Sequence, residues 1–254
     1  MTAPVMPGAE PKSVVGGSDG ALVLHGFTGN PFSMRGIAEQ LVVAGLSVEL
    51  PLLPGHGTSM EDMLATRWSD WSAAVDAAYV DLAARCDRVV VVGLSMGGTL
   101  ACWLAEGHPE ISGLVLINPL VESPGTELTA AIDEMLQAGA EIAPGIGSDI
   151  AMPDAQELSY DATPLRSALS LFAAAAEVAT RLVDIRCPVL LLSSREDHVV
   201  PGSNGDRVLE SVVGPVERVW LERSYHVATL DFDRDEVEAR TVGFVGSVLA
   251  GVRE

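Results

Sequence analysis

Short apolar, β-branched runs alternate with amphipathic helical stretches along this chain, and that alternation restricts the fold more than any other feature. The runs are ALVLHG (21–26), LSVELP (46–51), RVVVVGL (88–94), GLVLIN (113–118), PVLLLSS (188–194) and VERVWLE (216–222). They are apolar on both faces, as parallel strands covered by helices on either side must be. Helical spacing fills 33–44, 68–82, 97–106, 203–213 and 234–250. In 68–82, Trp68, Trp71, Val75, Ala78, Tyr79 and Leu82 share one face. The expected fold is α/β, a doubly wound, mostly parallel sheet.

One stretch breaks the rhythm. Residues 119–185 contain no strand-like run, and they pass through the Gly/Pro-rich APGIGSDIAMPD before the apolar LRSALSLFAAAAEVATRLVDI. A helical insertion between two strands of one sheet predicts a cap over the carboxyl edge. The domain reading is therefore a core of 1–118 and 186–254 with a cap at 119–185. Arg166, Glu177 and Arg181 interrupt the apolar helix around Leu169, Leu171 and Phe172, so it is not read as a membrane span. No apolar run approaches the ~18 residues a span needs. Residues 1–19, rich in Pro and Gly, are expected to form an extended arm without the basic and apolar regions of a signal peptide.

Charge narrows the partners. The net charge is −20, from 35 acidic and 15 basic residues, and Lys12 is the lone lysine. Such a surface repels nucleic acid and anionic membranes. The three cysteines, Cys86, Cys102 and Cys187, are far apart and show no zinc-binding spacing, so they read as reduced thiols of a cytoplasmic protein.

The chemistry concentrates at strand ends. GLSMGG (93–98) follows the strongest strand and opens a helix, the setting of a G-x-S-x-G nucleophile elbow. Ser95 must hold a strained backbone there, and side chains at Gly93 and Gly97 would strike the neighbouring helix and strand. HGFTGNP (25–31) follows the first confident strand. Its turn, with the residue after the nucleophile, supplies two backbone donors for an oxyanion, the amides of Phe27 and Met96. His25 precedes Ser95 and reads as a structural turn histidine. His56, in LPGHG, reads as loop-structuring, and His108 as a residue just past a helix end. The base is sought late in the chain, where His226 in SYHVATLD (224–231) follows the last strand and can take the serine proton. An acid must orient the imidazole. The loop after PVLLLSS offers Glu196 and Asp197 beside His198, and periodicity does not choose between the two acids. An isolated acidic run is most often a solvated loop; the order Ser…acid…His makes this one a candidate.

HGFTG, GLSMGG, D-x-x-V-P and SYHVATLD together resemble the α/β-hydrolase superfamily. More narrowly, the chain resembles the capped bacterial monoacylglycerol lipases and their thermostable carboxylesterase relatives, over about residues 20–250. SMRGIAEQL (33–41), PGHGTSMEDM (54–63), SDW (69–71), IGSD (146–149) and QELSYDATP (156–164) also match. The resemblance implies an α/β-hydrolase fold with a helical cap and assigns the acid to Asp197. Glu196 is then a solvent-facing neighbour and His198 a rim residue. It further implies that Ile146 and Glu157 line the substrate site. The stretch from 119 to about 143 matches poorly, which leaves the acyl tunnel undefined.

These readings converge on a serine ester hydrolase cleaving monoacylglycerols through an acyl-enzyme on Ser95. Its partner is a small-molecule lipid ester; no metal or organic cofactor is required, because water is the second substrate. A homodimer is compatible with the sequence. The alternative within hydrolases is a general carboxylesterase for shorter acyl chains. Outside them stand a non-catalytic binding protein and a lyase or synthase using the same three residues.

Overall fold

The computed structural model describes residues 3–145 and 148–251. Strands β1 (Lys12–Val14), β2 (Asp19–Leu24) and β3 (Ser47–Leu50) flank helix α1 (Arg35–Val43). Helices α2 (Met60–Leu64) and α3 (Trp68–Ala83) lead to β4 (Arg88–Leu94), α4 (Met96–Gly107) and β5 (Gly113–Ile117). Between β5 and the next sheet strand lie α5 (Thr126–Gln137), the short β6 (Ile142–Pro144) and β7 (Ala162–Pro164), and α6 (Leu165–Arg181). The chain closes with β8 (Val189–Ser194), α7 (Ser203–Ser211), β9 (Val216–Leu221) and α8 (Arg234–Ala250).

The main sheet has the order β1-β3-β2-β4-β5-β8-β9, and every pairing is parallel except β1 with β3. The expected doubly wound α/β fold is what forms. Its strands alternate between two cores because successive side chains point to opposite faces. On one face Leu22, Val89, Val91, Leu114 and Leu191 pack under α3, α4 and α6 with Trp71, Leu100 and Leu171. On the other Val23, Val90, Val92, Val115 and Leu192 pack under α1 and α8 with Ile37, Leu41, Val237 and Val245. Both faces are covered, which is why these strands read as unbroken apolar runs. Among the described residues no helix is long and apolar enough to cross a membrane.

The N-terminal arm is extended, as expected, and part of it joins the sheet edge: Lys12, Ser13 and Val14 pair antiparallel with Leu50, Glu49 and Val48. One expectation is corrected: the 119–185 segment is not strand-free, since Ile142–Pro144 pairs antiparallel with Ala162–Pro164. Three-residue strands carry too little alternation to register in the sequence. A proline ends each of the two in the segment, where it can donate no further ladder bond.

Candidate active site

The carboxyl ends of β2, β4, β5, β8 and β9 deliver the chemically able side chains to one edge of the sheet. At the end of β4, Ser95 sits at φ 55° and ψ −117°. A Cβ on Gly93 would overlap the carbonyl of Gly97, and one on Gly97 would overlap that of Leu24. Both glycines are thus sterically required where strand, turn and helix approach closely. Gly98 has the same constraint against Pro119, a requirement the sequence did not declare. Thr28 and Asn118 also hold positive φ at this edge, 63° and 43°. Strained backbone collected at one rim is a mark of a functional site.

The turn after β2 is built around His25. Its Nε2 accepts from the Leu53 amide (3.2 Å), so the ring proton lies on Nδ1, which donates to Gly26 O (2.9 Å). In a trans peptide the N–H points opposite the C=O. Anchoring Gly26 O therefore turns the Phe27 N–H away from His25. A Cβ on Gly26 would lie 3.5 Å from Ser95 Cβ, so this peptide runs alongside the elbow. The Phe27 ring is pinned edge-on against Trp71 at 5.6 Å. Among the described residues, the amides of Phe27 and Met96 donate to no protein acceptor. His25 is fully buried, and desolvation lowers its pKa to about 4. His56, equally buried against it, is also lowered well below its ordinary value, chiefly by desolvation. Both are the structural histidines expected. His108 caps the end of α4 and bonds Asp76 and Glu110.

Asp197 and His226 meet across the loops that follow β8 and β9. His226 Nδ1 lies 2.7 Å from Asp197 Oδ2, and their side chains are only 8% and 4% exposed. Solvent screens so shielded a pair weakly. Asp197 Oδ1 accepts from the amides of Val199 (2.8 Å) and Val200 (2.7 Å), which orients the carboxylate. Glu196 faces solvent. His198 is exposed at the rim, with Nδ1 2.8 Å from Asp149 Oδ1. Among the described residues no hydrogen bond joins Ser95 Oγ to His226, yet both line one pocket. Such contacts often tighten only when substrate is bound.

Residues without a sequence signal support this pair. Buried Asn118 donates to His226 O (2.8 Å) and to Ser194 Oγ (3.0 Å). Asp231 accepts the amides of Ala151, Met152, Tyr225 and Phe232, which ties the loop bearing His226 to the 119–185 segment. Asp149 accepts the amides of both His198 and His226. Asn118, directly after β5, carried a positional hint; Asp149 and Asp231 lie away from strand ends, and most of the partners are too distant in sequence to be foreseen.

The pocket has a volume of about 520 Å³. Leu120, Leu128, Leu171, Phe172, Val200 and Val227 make it largely apolar, and Ser95, His226 and Glu157 supply polar groups. Ile146 lies outside the described residues. Glu157 is held by a bond from its amide to Ser148 Oγ (2.8 Å). A Cβ on Gly29 would come 2.7 Å from its carboxylate, so a side chain there would have to displace the Glu157 carboxylate from this position. Desolvation raises the Glu157 pKa to about 7, opposed by His226 and by a bond from Ser33.

That elevation has a consequence for stability. The unfolded chain loses the Glu157 proton near its ordinary value of 4.5, and the folded chain holds it to about 7. Folding stability therefore falls as pH rises from 4.5 to 7 and stays reduced above. At ~1.36 kcal/mol per pKa unit the full cost is about 3 kcal/mol. Glu157→Gln should thus raise stability to denaturant at pH 8 by about 2–3 kcal/mol and change it far less at pH 4.5. Equal effects at the two pH values would show that the carboxylate is not buried at a cost.

Residues 19–233 match the family model Hydrolase_4, described as serine aminopeptidase, S33. A thermostable monoacylglycerol lipase of Bacillus sp. (strain H-257) is 45% identical over 95% of this chain and 96% of that protein. A carboxylesterase of Bacillus subtilis (strain 168) is 26% identical over 93% and 96%. Among solved structures, one from a study of the metagenome-derived lipolytic enzymes LipS and LipT superposes with a TM-score of 0.92 at 41% identity, covering 96% of this chain and all of that one. The monoacylglycerol lipase of Paleococcus ferrophilus shares the fold at a TM-score of 0.78 and 19% identity, over 94% and 99%. A strand–turn–helix serine, an Asp–His pair on the following sheet-edge loops, and matches that run nearly end to end agree: the chain belongs to the Hydrolase_4 family of α/β hydrolases.

Proposed function

We propose that this ester hydrolase cleaves monoacylglycerols, with Ser95 as nucleophile, His226 as general base and Asp197 as its orienting acid. Neutral His226 takes the Ser95 proton as Oγ attacks the ester carbonyl. The amides of Phe27 and Met96 receive the oxyanion. The alcohol departs with the proton from His226, leaving an acyl-enzyme that water cleaves by the same path. Residues 119–185 act as a cap over the core of 1–118 and 186–254. The apolar cap and rim side chains hold the acyl chain. Free thiols at Cys86, Cys102 and Cys187 favour a cytoplasmic setting.

The observation that carries the substrate class is Glu157, a shielded carboxyl in an otherwise mostly apolar pocket that also holds Ser95 and His226. Glycerol in a 1-monoacylglycerol offers two hydroxyls that a p-nitrophenyl ester lacks. A charge-assisted bond to one of them contributes about 1.5–3 kcal/mol, or roughly 10- to 100-fold in kcat/KM. At pH 8, where Glu157 is ionised, Glu157→Ala should lower kcat/KM on 1-lauroylglycerol about tenfold or more and on p-nitrophenyl laurate about twofold at most. Matching the acyl chains isolates the alcohol side. Equal losses on both substrates would return the chain to the general carboxylesterase reading.

A further inference from the structure

We propose that Asp149, which lies in the cap segment, is a positioning residue for the Asp197–His226 pair, a role that rests on the assignment of those residues above. Asp149 Oδ2 accepts the amide of His226 (3.0 Å) and that of His198 (3.1 Å), the residue next to Asp197. Oδ1 takes the His198 ring at 2.8 Å, and the Asp149 carbonyl accepts the Val227 amide (3.1 Å). A single residue thereby spans the loops after β8 and β9, each within one position of a member of the pair. The two loops come from different strands, so their separation sets the 2.7 Å bond between Nδ1 and Oδ2. Asp149 braces that separation from the third side.

Anchoring the cap is a task already met elsewhere. Asp231 fixes residues 151–152 through their amides. Tyr160 is tied to Gly55 and Thr58 (2.7 and 3.0 Å). The Asp149 carboxylate is instead spent on the two loops. Its side chain is 12% exposed, and the bond from the His226 amide is partly buried and so screened from competing water, whereas the His198 bonds lie at the exposed rim. The Asp149 contact also raises the His198 pKa above its ordinary value, through the hydrogen bond and the charge of the carboxylate. It follows that the cap contributes to turnover itself, beyond covering the acyl chain.

The ionisable side chains to separate around His226 are Asp197 on the loop after β8, and Asp149 and Glu157 in the cap; Ser95 faces it from the elbow. Because Glu157 titrates at about 7, the comparison is made in a Glu157→Gln parent with p-nitrophenyl laurate. Adding Asp149→Asn should lower kcat about 10- to 100-fold with KM changed about threefold at most, as a displaced catalytic pair does. The acid limb of the kcat/KM profile should move to lower pH, because the imidazolium loses stabilisation, while the thermal melt stays cooperative. His198→Ala, which removes only the exposed ring contact, should act in the same direction by about threefold. It decides the question if Asp149→Asn does not fold. A kcat within about twofold of the parent, or a loss confined to KM with the acid limb unmoved, overturns the proposal. Ser95→Ala is assayed in parallel: activity surviving there would sink the nucleophile assignment itself, a different failure from an inert Asp149.

Discussion

Ser95→Ala should lower turnover by about 10³- to 10⁶-fold while the protein melts as the parent does, because loss of the proposed nucleophile leaves only oxyanion stabilisation and binding. The backbone strain at this position belongs to the turn and not to the hydroxyl. Gly93 and Gly97 leave room for the turn, and alanine tolerates φ 55° no worse than serine. The fold loss and the activity loss are therefore separable, and a folded variant that kept a tenth of parental activity would remove Ser95 from the mechanism.

Asp197→Asn should cost about 10⁴-fold in kcat, and Glu196→Gln about twofold at most. The difference follows from what each oxygen does. Oδ1 of Asp197 accepts two amides, from Val199 and Val200, so the asparagine oxygen will occupy that place. The amide nitrogen must then face His226 Nδ1, where Oδ2 now lies at 2.7 Å. A donor there forces the imidazole proton onto Nε2, the nitrogen that must accept from Ser95. Glu196, on the solvent side of the same loop, has no such partner among the described residues. Equal losses in the two variants, or the reverse order, would move the acid to Glu196.

The sheet was legible because its strands are buried on both faces, and α8 was legible to the residue because its spacing runs uninterrupted to Ala250. Strand–loop position alone nominated Ser95 and His226, and the two line one pocket. Asp197 could not be told from Glu196 without the family pattern, since neighbours in a loop share every local property. The structure separates them by burial and by the two amides on Oδ1. The β1 edge, the β6–β7 pair and the five-residue α2 escaped because each is too short to carry a period, and the strand pairs form between segments distant in the chain. Asn118, Asp149 and Asp231 escaped for a related reason. Their bonds go mostly to backbone donors far along the chain, and a backbone amide leaves no trace in a sequence.

Covalent capture of Ser95 tests directly whether this serine is the nucleophile for ester hydrolysis. The protein is treated with a fluorophosphonate, the adduct is located by peptide mass, and residual hydrolysis of 1-lauroylglycerol is read on the same sample. One phosphonyl group per chain is expected, on Ser95, with hydrolysis lost in proportion to labelling. Full labelling of Ser95 with hydrolysis undiminished, or an adduct elsewhere accompanying the loss, would contradict that role.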